Sequence, residues 1–105
     1  MTFVRFSVFT KIERNTAIHE VRQAVSRCKG WIADQTLFSN IAATINFEMP
    51  SSSLARFREE LIALGMAPHV EGELPTEDEG DVRGSVSLTF SHNEPDLKRD
   101  VPPFG

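Results

Sequence analysis

The hydrophobic period of this chain switches between two and 3.6, and the order of those switches constrains the fold more than any other feature. Residues 3–10, Phe-Val-Arg-Phe-Ser-Val-Phe-Thr, alternate as a strand does: Val4, Phe6 and Val8 on one side, Phe3, Arg5, Ser7 and Phe9 on the other. Ala17, Ile18, Val21, Ala24, Val25 and Cys28 then recur at helical spacing, behind capping residues at Asn15 or Thr16. Gly30 stands where a left-handed helix terminator belongs, after Arg27 and Lys29, whose charges suit the helix C-terminus. Period two returns over residues 31–38 and 41–48, two strands joined by a hairpin at Ser39-Asn40. In the second of these, Ile41, Ala43, Ile45 and Phe47 oppose Ala42, Thr44, Asn46 and Glu48.

Pro50 and the run Ser51-Ser52-Ser53 stop that strand and cap a second helix. Its stripe is Leu54, Phe57, Leu61 and Leu64; Arg56 and Glu60 lie one turn apart, and Gly65 ends it. Residues 71–81 hold six acidic side chains and no basic one, which reads as a loop. Val86, Leu88 and Phe90, alternating with Ser85, Ser87, Thr89 and Ser91, supply the last strand. The order is β-α-β-β-α-β. It predicts an α+β, ferredoxin-like βαββαβ sandwich: a four-stranded antiparallel sheet, its first and third strands central, with two helices on one face.

A chain of 105 residues, 40% apolar and 25% charged, has one ordinary core to build. We expect a single domain over residues 1–92 and an extended, proline-rich tail over residues 93–105. The longest apolar run is residues 61–64, too short for a membrane span, and residues 1–15 lack the pattern of a secretory signal. A net charge of −4 argues against general affinity for nucleic acid or anionic membrane. The single cysteine, Cys28, permits no internal disulfide and fits a cytoplasmic setting.

Helices cover one side of such a sheet and leave the other bare. The bare side should carry Phe3, Arg5, Ser7, Phe9, Thr44, Asn46, Ser85, Ser87 and Thr89, a polar surface with two large aromatics. Exposed phenylalanines on a small sheet call for a cover, either a second copy of the chain or its own tail through Leu97, Val101 and Phe104. We therefore expect a homodimer with Phe3, Phe9, Leu97, Val101 and Phe104 at its interface. A regular hairpin register would aim Asp34 at the helices, where an unpaired carboxylate is costly. A β-bulge that turns it to water is the simpler expectation.

The turn into the first helix reads Glu13-Arg14-Asn15-Thr16-Ala17-Ile18. It resembles regulatory ACT domains, whose motif is commonly an acid, Arg, Pro, Gly, a small residue and an aliphatic. Glu13, Arg14, Ala17 and Ile18 match; Asn15 and Thr16 stand where the family has proline and glycine. Gly30-Trp31-Ile32 is similar to the family's approach to its second strand, as is Leu61-x-x-Leu64-Gly65 to the end of its second helix. The resemblance implies a non-catalytic regulatory module, sheets paired side by side, and a small-ligand site at Glu13, Asn15 and Thr16. Helix capping alone also explains those last residue types.

Other chemistries find less support. His19, His69 and His92 lie in separate segments, and Cys28 has no companion, so no metal site or cofactor is expected. The acidic stretch lacks the alternating ligands of a calcium loop. The bare face offers Ala42, Thr44, Asn46 and Glu48 where an RNA-recognition sheet needs aromatics. The alternative function is a dimeric α+β-barrel enzyme, of oxygenase or isomerase type, with a pocket on the bare face and Arg5, Asn46 and His92 as its polar groups. No catalytic residue is assigned. Small molecules and partner proteins remain the expected classes of ligand.

Overall fold

A computed structural model describes residues 3–39, 41–72, 74 and 80–91. The elements are β1 (Phe3–Thr10), α1 (Arg14–Arg27), β2 (Trp31–Ser39), β3 (Ala42–Pro50), α2 (Leu54–Ala63), β4 (His69–Glu71) and β5 (Asp81–Phe90), with a 3-10 turn at Ser51–Ser53 before α2. The architecture is α+β: one mixed sheet of five strands in the order β2-β3-β5-β1-β4, and two helices. Both helices bury their stripes in a single core with Val4, Phe6 and Val8 of β1, Ala43, Ile45, Phe47 and Met49 of β3, and Val82, Val86, Leu88 and Phe90 of β5. Phe57 of α2 anchors it, edge-on to Phe6 at 5.4 Å between ring centroids and tilted against Phe47 at 5.1 Å. The two helices are tied across their surface by Arg27, which meets Glu60 at 2.7 Å, while Arg56 approaches the same carboxylate at 3.6 Å.

The sheet corrects the expected one in three respects. It has five strands rather than four, it is mixed rather than antiparallel, and the first and third strands are not neighbours. The last strand, β5, lies between them, parallel to β1 from Phe3↔Arg83 to Thr10↔Phe90 and antiparallel to β3. The three-residue β4, within what reads as loop at its end, pairs antiparallel with the outer edge of β1. That edge is thus occupied when the chain returns, and β5 takes the central position, paired on both of its edges. β5 also begins at Asp81, well before the regular alternation that marks it in the sequence.

Local geometry refines the helix ends. Glu13, not Asn15 or Thr16, caps α1: its carboxylate accepts the backbone N–H of Asn15 at 3.0 Å and of Thr16 at 2.9 Å. Lys29, at φ 66°, takes the left-handed position after α1. Gly30 serves a different need, since a Cβ there would stand 2.6 Å from the Glu48 carbonyl oxygen and 2.7 Å from the Met49 Cβ. Gly65, at φ 88°, ends α2 as expected. Ser53 occupies the cap position of α2 without a side-chain capping bond.

Candidate functional site

Strand pairing arranges the open face in rows. Alternate residues point to one side of a strand, so in-register neighbours on each side form lines across the sheet. At one end the row reads Trp31, Glu48, Arg83, Phe3. The next is Asp34, Asn46, Ser85, Arg5 and Glu71, and the one after is Thr36, Thr44, Ser87, Ser7 and His69. Ala42, Thr89 and Phe9 follow at the hairpin end, with Ser39 opposite Ala42. Phe3 and Phe9 are exposed, as their parity requires.

Between the first two rows lies a recess of about 360 Å³, lined by Phe3, Ala33, Asp34, Asn46, Phe47, Glu48, Arg83 and Gly84. A register shift between Ile32 and Asp34 makes it. Ala33 is the extra residue of a β-bulge, and after it Asp34 pairs with Asn46 rather than with a core-facing position. The bulge leaves the carboxylate exposed, and its Oδ1 accepts the Asn46 amide N–H at 2.7 Å. Arg83 and Glu48 face each other across the floor, with Nε 3.6 Å from Oε2, longer than a hydrogen bond. On the helix-facing side of the same strands, Gly84 makes room for the buried Phe47 ring: a Cβ at that position would stand 2.5 Å from the ring's Cζ. On the rim, the Arg5 guanidinium lies 5.4 Å from the Phe3 ring centroid and 3.9 Å from the Glu71 carboxylate.

The residues singled out in the sequence are thereby dispersed. Glu13, Asn15 and Thr16 sit together at the start of α1, but Glu13 is committed to that turn, taking two backbone N–H groups and the Thr16 hydroxyl at 3.1 Å. Those bonds hold its carboxyl below the ordinary glutamate range, the Asn15 amide first and the Thr16 amide second. Of the enzyme candidates, Asn46 lines the recess, Arg5 borders it, and His92 lies outside the described residues. Leu97, Val101 and Phe104 lie outside them as well.

Asp34, Glu48 and Arg83 were not expected as a group, because β5 was not expected beside β3. The signal available was the good alternation of Glu48 with core residues and the need for Asp34 to escape the core. Among the described residues, no group of three or more histidine, cysteine or acidic side chains is placed to hold a metal ion. No helix among them is long and apolar enough to cross a membrane. Comparison of the chain with family models, curated proteins and solved structures finds no match.

Proposed function

We propose that the chain is a non-catalytic small-ligand-binding module, ferredoxin-like in layering and ACT-like in its regulatory use, working as a cytoplasmic homodimer. The observation that carries this reading is the recess on the open sheet face. It brings an aromatic wall, two carboxylates, an amide and a guanidinium onto a rigid floor of paired strands, at a volume near the lower end of the roughly 300–1,000 Å³ usual for ligand sites. The turn at Glu13, Asn15 and Thr16 is the weaker site, because a ligand there must first displace the Glu13 carboxylate from the helix N-terminus.

Self-association is supported by the opposite end of the molecule. Phe9, Phe38 and Ile41 are exposed apolar side chains near the β2–β3 hairpin, away from the recess. Pairing there would leave the recess open to a ligand and pass binding to the dimer through the strands. The exposure of Asp34 sets this reading above the enzyme alternative, which needs a sequestered acid or base.

The test is thermal unfolding of the full chain against a panel of small organic acids, amines, amino acids and nucleotides, with molar mass by light scattering on the same samples. A ligand present at about a hundred times its Kd should add about 2.7 kcal/mol of stability. A monomeric chain that no member of the panel stabilises would sink the proposal.

A further inference from the structure

We infer that the recess selects a small organic cation, a primary ammonium or guanidinium group carried on an apolar or planar body. This deepens the reading of the open face as a binding surface and rests on it. The charge count comes first: the lining contributes two carboxylates, Asp34 and Glu48, against the one guanidinium of Arg83, while on the rim the Arg5 guanidinium is offset by the Glu71 carboxylate 3.9 Å away. Asp34 is already oriented, since Asn46 holds its Oδ1, while among the described residues its Oδ2 has no partner. Glu48 is unsaturated too, its contact with Arg83 standing at 3.6 Å. An ammonium group between these carboxylates would donate charge-assisted hydrogen bonds to both.

The aromatic wall points the same way. Phe3 already carries a cation, the Arg5 guanidinium, over its ring at 5.4 Å, which is the attraction a ligand cation would also feel. Trp31 stands next to Glu48 at the other end of the same row, exposed, so aromatics flank the charged pair on both sides. An anion would meet two carboxylates and compete with Glu48 for Arg83. A hard metal ion would find only two carboxylates, with the Asn46 N–H and the Arg83 guanidinium pointing donors where it needs oxygen ligands.

The experiment is an amide-resolved NMR titration of the full chain at low ionic strength with three probes of one shape: benzylammonium, benzoate and benzamide. The expected result is that benzylammonium shifts the amides of Phe3, Ala33, Asp34, Asn46, Glu48 and Gly84, and benzoate does not. Asp34→Asn, which keeps an oxygen for Asn46, and Glu48→Gln should each weaken benzylammonium binding about five- to tenfold. Arg83→Gln, at an exposed position, should tighten it and so move affinity in the opposite direction.

Benzoate or benzamide binding at the recess while benzylammonium does not would overturn the cation assignment and leave the binding surface standing. Equal benzylammonium affinity in the wild type, Asp34→Asn and Glu48→Gln would overturn it as well, since the charges would then be idle. Failure of all three probes to shift any recess amide would overturn both the assignment and the open-face site.

Discussion

Phe6 and Phe9 stand three residues apart on β1, yet Phe6 is wholly buried and Phe9 is 72% exposed. Nothing in the residue type separates them; what covers each face of the sheet does. Phe6 points to the helices, where Phe57 meets it edge-on and Phe47 lies 6.4 Å away. Phe9 shares its row with Thr89 and Ala42 and has no helix above it. One face of the sheet therefore holds the fold together, and the other is free to be shaped by what it binds. Because strand side chains alternate, substitutions one or three residues apart should have effects of different kinds, stability on one face and association or binding on the other.

The largest expected effect belongs to the covered face. Phe57→Ala removes the ring that both Phe6 and Phe47 pack against, and should destabilise the domain by about 3–5 kcal/mol in denaturant unfolding. A loss under about 1 kcal/mol would mean that the helix layer is not what stabilises the sheet. Next comes Gly84→Ala, where the new Cβ meets the Phe47 ring at 2.5 Å and 2.9 Å and the Val4 carbonyl oxygen at 3.0 Å. Phe47 is itself buried and cannot swing away, so overpacking should cost about 1–3 kcal/mol. It should also disturb the floor of the recess.

Phe9→Ser makes the opposite case. Stability of the monomer should change by no more than about 0.5 kcal/mol, while light scattering should show the mass of a dimer falling toward that of a monomer. A large drop in the melting temperature of a chain that was monomeric throughout would show that Phe9 is covered by its own chain, and the contrast between the faces would be smaller than stated.

The face assignments were legible because they depend on parity, which the sequence carries residue by residue. Phe3, Arg5, Ser7, Thr44, Asn46, Ser87 and Thr89 can be placed on the open side from alternation alone, and the bulge at Ala33 follows from the penalty of turning Asp34 inward. Strand order is a different kind of information. Whether β5 lies at the edge or between β3 and β1 is decided by long-range pairing, and His69–Glu71, a strand of three residues, has too little pattern to announce that the β1 edge is taken. The recess inherits that difficulty, because Arg83 meets Glu48 only once β5 is beside β3. The α1 cap lies two to three residues before the capping types that the sequence offers, for a local reason. Asn15 and Thr16 are good capping types, but the Glu13 carboxylate reaches both of their amides from one turn earlier.

The same contrast runs through two titrating groups, and pH can expose it. Cys28 lies under the helix layer, and burial pushes its thiol up from the ordinary value, with the Glu60 charge adding to the effect. Its folded form stays protonated where the unfolded chain begins to ionise, so stability should fall as pH rises above about 9. A thiol reagent should modify it at the rate of unfolding rather than on mixing.

Glu13 has the smallest effect and the opposite sign. Its carboxyl is held below the ordinary 4.5 by the Asn15 and Thr16 amides, so the contribution of the cap is fully present above that value and is lost as pH falls through the lower, folded one. Glu13→Gln should therefore be less stable than the wild type at neutral pH and should converge with it in acid. Curves that stay parallel across that range would mean that the carboxylate is not the cap, and that the Asn15 and Thr16 amides are available to a ligand after all. The recess carboxylates would then lose their distinction, since Asp34 and Glu48 are set apart by having bonding capacity that Glu13 has already spent inside its own turn.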